Sequence, residues 1–212
     1  MAKMKEYKPH TKRLELVHNY VRNMFVAELP IDLLYHGPDH TLHPTLGVAA
    51  IADLLARKEK VSEIIRELSI VTAYLHDTGY IERRDKNEPI GVRIAGKILP
   101  IFGYISKEIE DVKQGILVTD IFDKNLQPRN ELEKIIRDAD ADNVGREDFF
   151  EKSDLLMREY GITDLMKWYE SSIKFMEAHE YYTESAKKLR NKKKQENLDE
   201  LKRRYQEILA KA

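Results

Sequence analysis

Apolar positions recur every three to four residues along most of the chain, and that period predicts helices. The first runs over about 11–29, with Leu14, Val17, Tyr20, Val21, Met24 and Phe25 on one face, and stops before Pro30. A second continues over Leu46 to Ala56. A third, about 61–78, carries Ile64, Leu68, Val71 and Leu75 with Ile65, Ser69, Thr72 and His76 on the adjoining stripe, turns fully apolar toward its end, and meets a stop at Gly79. Ile90 to Phe102 reads as a short helix broken near Pro100. Ser106 to Thr119 follows, with Ser106 as N-cap and Ile109, Val112, Ile116 and Leu117 inward. Leu132, Ile135 and Ile136 mark a helix from Asn130 to Asp140. From Phe149 onward the pattern stays helical, with Trp168, Tyr169, Ile173, Phe175 and Met176 apolar, and closes in an amphipathic helix bearing Leu189, Leu198, Leu201, Tyr205, Ile208 and Leu209. No run alternates with period two, so the predicted fold is all-α.

The polar interruptions carry the chemistry. His36, His40 and His43 fall within eight residues, and Gly37-Pro38 supplies a turn whose Pro38 or Asp39 starts a helix, leaving His40 near its first turn. Pro44 then forces a restart, because its ring clashes with the carbonyl of His40. His76-Asp77 closes the apolar third helix, a costly place for two polar side chains unless they find partners. Adjacent residues splay about 100° on a helix, which still lets both reach one ion. Asp138, Asp140 and Asp142 form a carboxylate cluster after the 130–140 helix. By itself a His-Asp dipeptide is common, and taken alone it reads as a plain helix end, with the Asp hydrogen-bonded to backbone, rather than as a metal site.

Length and composition limit what this pattern can be. The 212 residues fit one domain, with a core over about 31–150 and a helical extension over about 150–212 packed on it. There is no cysteine, so disulfides, zinc-thiolate sites and a thiol nucleophile are excluded, and any metal must sit on His and carboxylates. A net charge of -1 offers no global attraction for nucleic acid or an anionic membrane. The Lys-rich 187–204 stretch interleaves Glu196, Asp199 and Glu200, the pattern of a solvated helix face rather than a nucleic-acid surface, and a homodimer role for it stays open. No apolar stretch is long enough for a membrane span, and Lys3, Lys5 and Lys8 precede no apolar signal segment, so the expected location is the cytoplasm.

His40, His76-Asp77 and Asp138/Asp140 are three patches of the same chemistry on separate helices. Imidazole and carboxylate ligands so placed leave open positions on an ion for water and substrate, as metal-assisted hydrolysis requires. Tyr-His-x-x-x-His-Thr at 35–41, His-Asp-x-x-Tyr at 76–80, Asn-Glu at 87–88, Asp-Ala-Asp at 138–140 and the following Gly145 together resemble the HD-domain superfamily of metal-dependent phosphohydrolases, in its predicted-phosphohydrolase branch. The resemblance implies an all-α HD-like helical bundle with ligands His40, His76, Asp77 and Asp140. It selects Asp140 through the Ala139-Asp140 pair, with Asp138 and Asp142 as alternatives or as acceptors that orient a histidine. Two-metal branches of the family place extra histidines between the His-Asp pair and the last Asp. None occurs here between 77 and 140, so one divalent ion is expected, and its identity among Mn, Mg, Fe, Co, Ni and Zn stays open.

The same resemblance implies a general acid at His36, as in cyclic-nucleotide phosphodiesterases, against the alternative of a histidine hydrogen-bonded within its loop. It makes Asp77 or Glu88 the group that helps deprotonate the attacking water, and a solvated carboxylate is the alternative for Glu88. Arg83, Arg84, Lys86 and Arg93 are candidates for the substrate phosphate. Whether Asp120 approaches the site is left open, while His18, His43 and His179 read as packing or surface residues. The expected activity is hydrolysis of a small phosphomonoester or phosphodiester, most plausibly a nucleotide, and the rival reading is a metal- or nucleotide-binding regulator without turnover.

Overall fold

The structure, a computed structural model, describes residues 6–123 and 125–210, so Lys3 and Lys5 lie outside the described residues. Ten α-helices and two 3-10 turns make up its regular structure, and no strand occurs among the described residues. They are α1 (Lys12–Glu28), α2 (Pro38–Leu42), α3 (Val48–Glu59), α4 (Glu63–Leu75), α5 (Glu88–Ile98), α6 (Ser106–Leu117), α7 (Glu131–Asp140), α8 (Phe149–Glu159), α9 (Leu165–Ala178) and α10 (Glu184–Leu209), with 3-10 turns at Thr78–Ile81 and Ala141–Gly145.

Local chemistry sets several boundaries. The side chains of Thr11, Ser62, Asn130, Asp164 and Thr183 each accept a backbone N–H in the first turn of the helix that follows. Such caps contribute about 1 kcal/mol apiece. Pro38 sits in the first turn of α2 and Pro44 keeps α2 apart from α3. Ser106 is not the N-cap of α6. That position belongs to Ile105, whose N–H donates to the Glu108 carboxylate at 2.9 Å, so the acid three residues on does the capping alone.

Helix α4 is the centre of the bundle, packed against α1, α3, α6 and α7. Every residue from Glu67 to Leu75 is buried, which is why apolar residues dominate the sequence there, while Ser69 and Thr72 return their hydroxyls to carbonyls of their own helix. Each buried Leu, Ile or Val contributes about 1.5–3 kcal/mol relative to exposure. Ile64 and Tyr20 depart from the expected stripes and are exposed, because α4 begins to be covered only after its first turn and Tyr20 stacks edge-on with Phe102 at the surface. At Gly115 an added Cβ would meet Leu132 Cδ2 at 2.7 Å and Thr72 Cγ2 at 2.8 Å, so glycine is what allows α4, α6 and α7 to approach.

The end of α4 differs from expectation. The helix stops at Leu75, and the chain tightens into the 3-10 turn Thr78–Ile81. Gly79 does not act there through a left-handed conformation. An added Cβ would lie 1.9 Å from the Asn87 carbonyl oxygen, so it is the close passage of the chain toward α5 that requires glycine. The apolar core is continuous through Met176, Tyr181, Ala186, Leu198 and Leu201, joining α9 and α10 to the earlier helices.

Candidate metal centre

The bundle brings the start of the chain's chemistry to its end. Helix α2 offers His40, the end of α4 offers His76 and Asp77, and the last residue of α7 offers Asp140. His40 Nε2 lies 3.1 Å from Asp140 Oδ1 and 3.5 Å from Asp77 Oδ2, and His76 Nε2 lies 3.1 Å from Asp77 Oδ2 and 3.4 Å from Asp140 Oδ1. Ligand atoms of His40, His76 and Asp77 all fall within 4.8 Å of one another. The backbone of Asp77, at φ -95 and ψ 4, leaves the helix just as its side chain turns to the cluster.

The donor set fits a divalent cation. His76 Nδ1 donates to the Ala73 carbonyl at 2.8 Å, which orients the ring and leaves Nε2 facing the cluster. His76 Nε2 and Asp77 Oδ2 are buried without hydrogen-bond partners, a condition that costs about 1–3 kcal/mol per neutral group and more for a charged one. An ion on the two imidazoles and the carboxylates would satisfy both atoms.

The electrostatics agree. Burial works against charge on His76, yet the Asp77 and Asp140 carboxylates beside it hold its pKa well above the usual imidazole value. Burial prevails at His40 and lowers it, despite the same two carboxylates. Burial would raise Asp77 and Asp140, but His76 and His40 pull both below the normal carboxylate range. Two acids kept ionised against two imidazoles make a site that attracts a cation.

A cavity of about 290 Å³ opens beside this cluster. Asp77 and Asp140 form part of its wall with His36, Tyr80, Glu88 and Asp120. His36 Nδ1 donates to Glu159 Oε1 at 2.5 Å, and the other oxygen of that carboxylate accepts the backbone N–H groups of Tyr35 and His36 at 2.7 and 3.0 Å. His36 Nε2 lies 3.3 Å from the Tyr80 hydroxyl, with the two rings stacked 4.5 Å apart. Burial would raise the Glu159 carboxyl, but the bonds from His36 and Tyr35 hold it down. Burial, together with the charges of Asp120, Asp77 and Asp140, raises Glu88, which sits in the first turn of α5.

Several expectations are corrected by these positions. Asp138 faces away from the histidines and accepts from the Tyr182 N–H, the Thr183 N–H and the Thr183 hydroxyl at 2.7–2.8 Å, tying α7 to the start of α10. Asp142 is buried against Arg190, at 2.6 and 2.9 Å, and orients no histidine either. None of Arg83, Arg84, Lys86 or Arg93 lines the cavity. Arg83 donates to the Lys86 carbonyl, Arg84 pairs with Asp32 and the Glu159 carbonyl, and Arg93 pairs with Glu82. These contacts tie the 82–93 segment to itself and, through Arg84, to Asp32 and the end of α8.

Glu159 and the aromatic wall of the cavity were not foreseen. Nothing local marks Glu159, because its partner lies 123 positions away. Asp120 does reach the cavity, and its Oδ1 accepts the Phe122 and Asp123 N–H groups at 2.9 and 3.2 Å. Along α10, Lys187, Lys193, Lys202, Arg203 and Arg204 pair with Glu184, Glu147, Glu177 and Glu200.

Fold and donor set together define an all-helical metal-site domain. Residues 41–143 match the family model of the HD domain, and over that stretch the chain is similar to the HD-domain superfamily of metal-dependent phosphohydrolases. The match starts one residue after His40 and contains His76, Asp77 and Asp140. No curated protein and no solved structure gives a significant match to the chain. No helix among the described residues is long and apolar enough to cross a membrane.

Proposed function

We propose that the protein is a metal-dependent phosphohydrolase acting on a small phosphoester, with a nucleotide as its substrate class. The observation that carries this reading is the pair of buried, partnerless atoms, His76 Nε2 and Asp77 Oδ2, set against His40 and Asp140 at the wall of a substrate-sized cavity. His40, His76, Asp77 and Asp140 would hold the ion. A divalent cation bound there supplies a Lewis acid that polarises a phosphoryl oxygen and makes water a better nucleophile near neutral pH.

The chain's own groups do the remaining work. His36, held at Nδ1 by Glu159, presents Nε2 on the cavity side and gives a proton to the leaving alkoxide. Glu88, with its raised pKa, is the proton acceptor on the opposite side of the roles, since a carboxylate is a stronger base when its pKa is higher. Tyr80 stacks on His36 and keeps its ring in place.

Elemental analysis of the untagged protein, run beside phosphate release from a panel of phosphoesters with Mn, Mg, Co and Ni, tests the reading. About one ion per chain is expected, with both ion and turnover lost in Asp77→Ala. An ion bound without turnover on any phosphoester would instead make the protein a regulator, and no bound ion under any condition would sink the metal site itself.

A further inference from the structure

The cavity has an unequal charge lining. Four carboxylates, of Asp77, Glu88, Asp120 and Asp140, lie on its wall, and no Lys or Arg does so among the described residues. A site for a polyphosphate needs fixed cations along the chain of phosphoryl groups, because each added group brings about one more negative charge. Here the positive charge on hand would be a single cation at the ligand cluster. That suffices for one phosphoryl group.

Another part of the lining is built differently, and by a different part of the chain. Phe149, Tyr160, Trp168 and Phe175 line it, all from α8, α9 and the segment between them, beyond the residues that match the HD domain. Trp168 Nε1 donates to Ser153 Oγ at 2.9 Å, and its indole lies 6.5 Å from the Tyr160 ring in an edge-on arrangement. The indole is therefore held as a fixed aromatic surface on the cavity.

We infer that α8 and α9 form a subsite for the flat aromatic body of a substrate bearing a single phosphoryl group, and that Glu88 and Asp120 turn away polyphosphates. The inference rests on the phosphohydrolase reading for the placement of the phosphoryl group at the ligand cluster. It assigns recognition of the aromatic body to the extension, and exclusion of polyphosphates to Glu88 and Asp120 within the residues that match the HD domain.

Trp168 is the chain's single tryptophan, so its emission reports this subsite without need of turnover. Full-length protein in magnesium buffer is titrated with AMP, naphthyl phosphate, ATP and glycerol 3-phosphate, and the same four compounds are followed for phosphate release. AMP and naphthyl phosphate should change the emission saturably and bind about tenfold or more tighter than ATP and glycerol 3-phosphate. Tyr160 is exposed, so Tyr160→Ala should keep the fold, weaken the two aromatic ligands about fivefold, and leave glycerol 3-phosphate within about twofold. Asp120→Asn, whose amide oxygen still accepts the Phe122 N–H, should narrow the discrimination against ATP about threefold or more.

An unchanged preference in Asp120→Asn would overturn the charge argument. Absence of a saturable change with either aromatic monophosphate, or equal binding of ATP, would overturn the subsite even if turnover is seen. Selective binding without phosphate release from any compound would uphold the subsite and remove the hydrolase reading instead.

Discussion

Glu159 Oε1 and His36 Nδ1 face each other at 2.5 Å, and the same carboxylate gathers the backbone N–H groups of Tyr35 and His36. One side chain thus fixes both the ring and the backbone of the residue assigned the leaving-group proton. Glu159→Gln should lower kcat about 10-fold to 100-fold while the ion content stays at wild-type level. Single-turnover rates beside elemental analysis check this, and loss of the ion would show that Glu159 supports the whole site.

The same pair has a pH signature. His36 and Tyr35 hold the Glu159 carboxyl below its ordinary value of 4.5, so its ionised form favours the folded state. That contribution is fully present above pH 4.5 and is lost as pH falls through the lower folded value. Wild type should be more stable than Glu159→Gln at neutral pH, with the gap closing below pH 4.5, in urea titrations repeated across that range.

Binding of a cation to His40, His76, Asp77 and Asp140 favours the folded chain by mass action. At an ion concentration one hundred times Kd the gain is about 2.7 kcal/mol. Calorimetry should show Tm rising with Mn or Co in wild type and not in His76→Ala, since removing that imidazole takes away a ligand whose Nε2 has no other hydrogen-bond partner.

Asp140 and Asp142 are two residues apart and should behave oppositely. Asp142 is paired with Arg190 across the join of the Ala141–Gly145 turn and α10, and breaking a buried pair of this kind costs about 3–5 kcal/mol. Asp142→Asn is expected to lose stability in urea at unchanged ion stoichiometry. Asp140→Asn is expected to lose the ion.

Gly79→Ala tests the close passage behind Glu88. The new methyl would meet the Asn87 carbonyl oxygen at 1.9 Å, a backbone atom that yields only if the start of α5 moves. A loss of about 1–3 kcal/mol in urea unfolding is expected, together with a fall in kcat as Glu88 shifts.

Helix positions were readable because burial imposes a period, and α4 shows it: nine consecutive buried residues leave a run that no surface helix tolerates. His40, His76 and Asp77 were readable because His40, the His76-Asp77 pair and the Asp138/Asp140 patch stand on separate helices within motifs that together resemble one family. Asp138 and Asp142 were misjudged because three aspartates at alternate positions look alike until α10 is placed against them. The basic loop was misjudged for a related reason, since a charge written next to the site in sequence says nothing of the acid it meets in space, as Arg84 meets Asp32. Glu159 and Trp168 depend wholly on how α8 and α9 return to the cavity, which no local pattern records.

The distance in sequence between His36 and Glu159 also orders events during synthesis. A chain growing from its N-terminus has presented all four candidate ligands once Asp140 has emerged. The carboxylate that steadies His36 appears nineteen residues later, at the very end of α8. On the function proposed above, the ligand set is therefore complete in the growing chain before the group that steadies His36 is present.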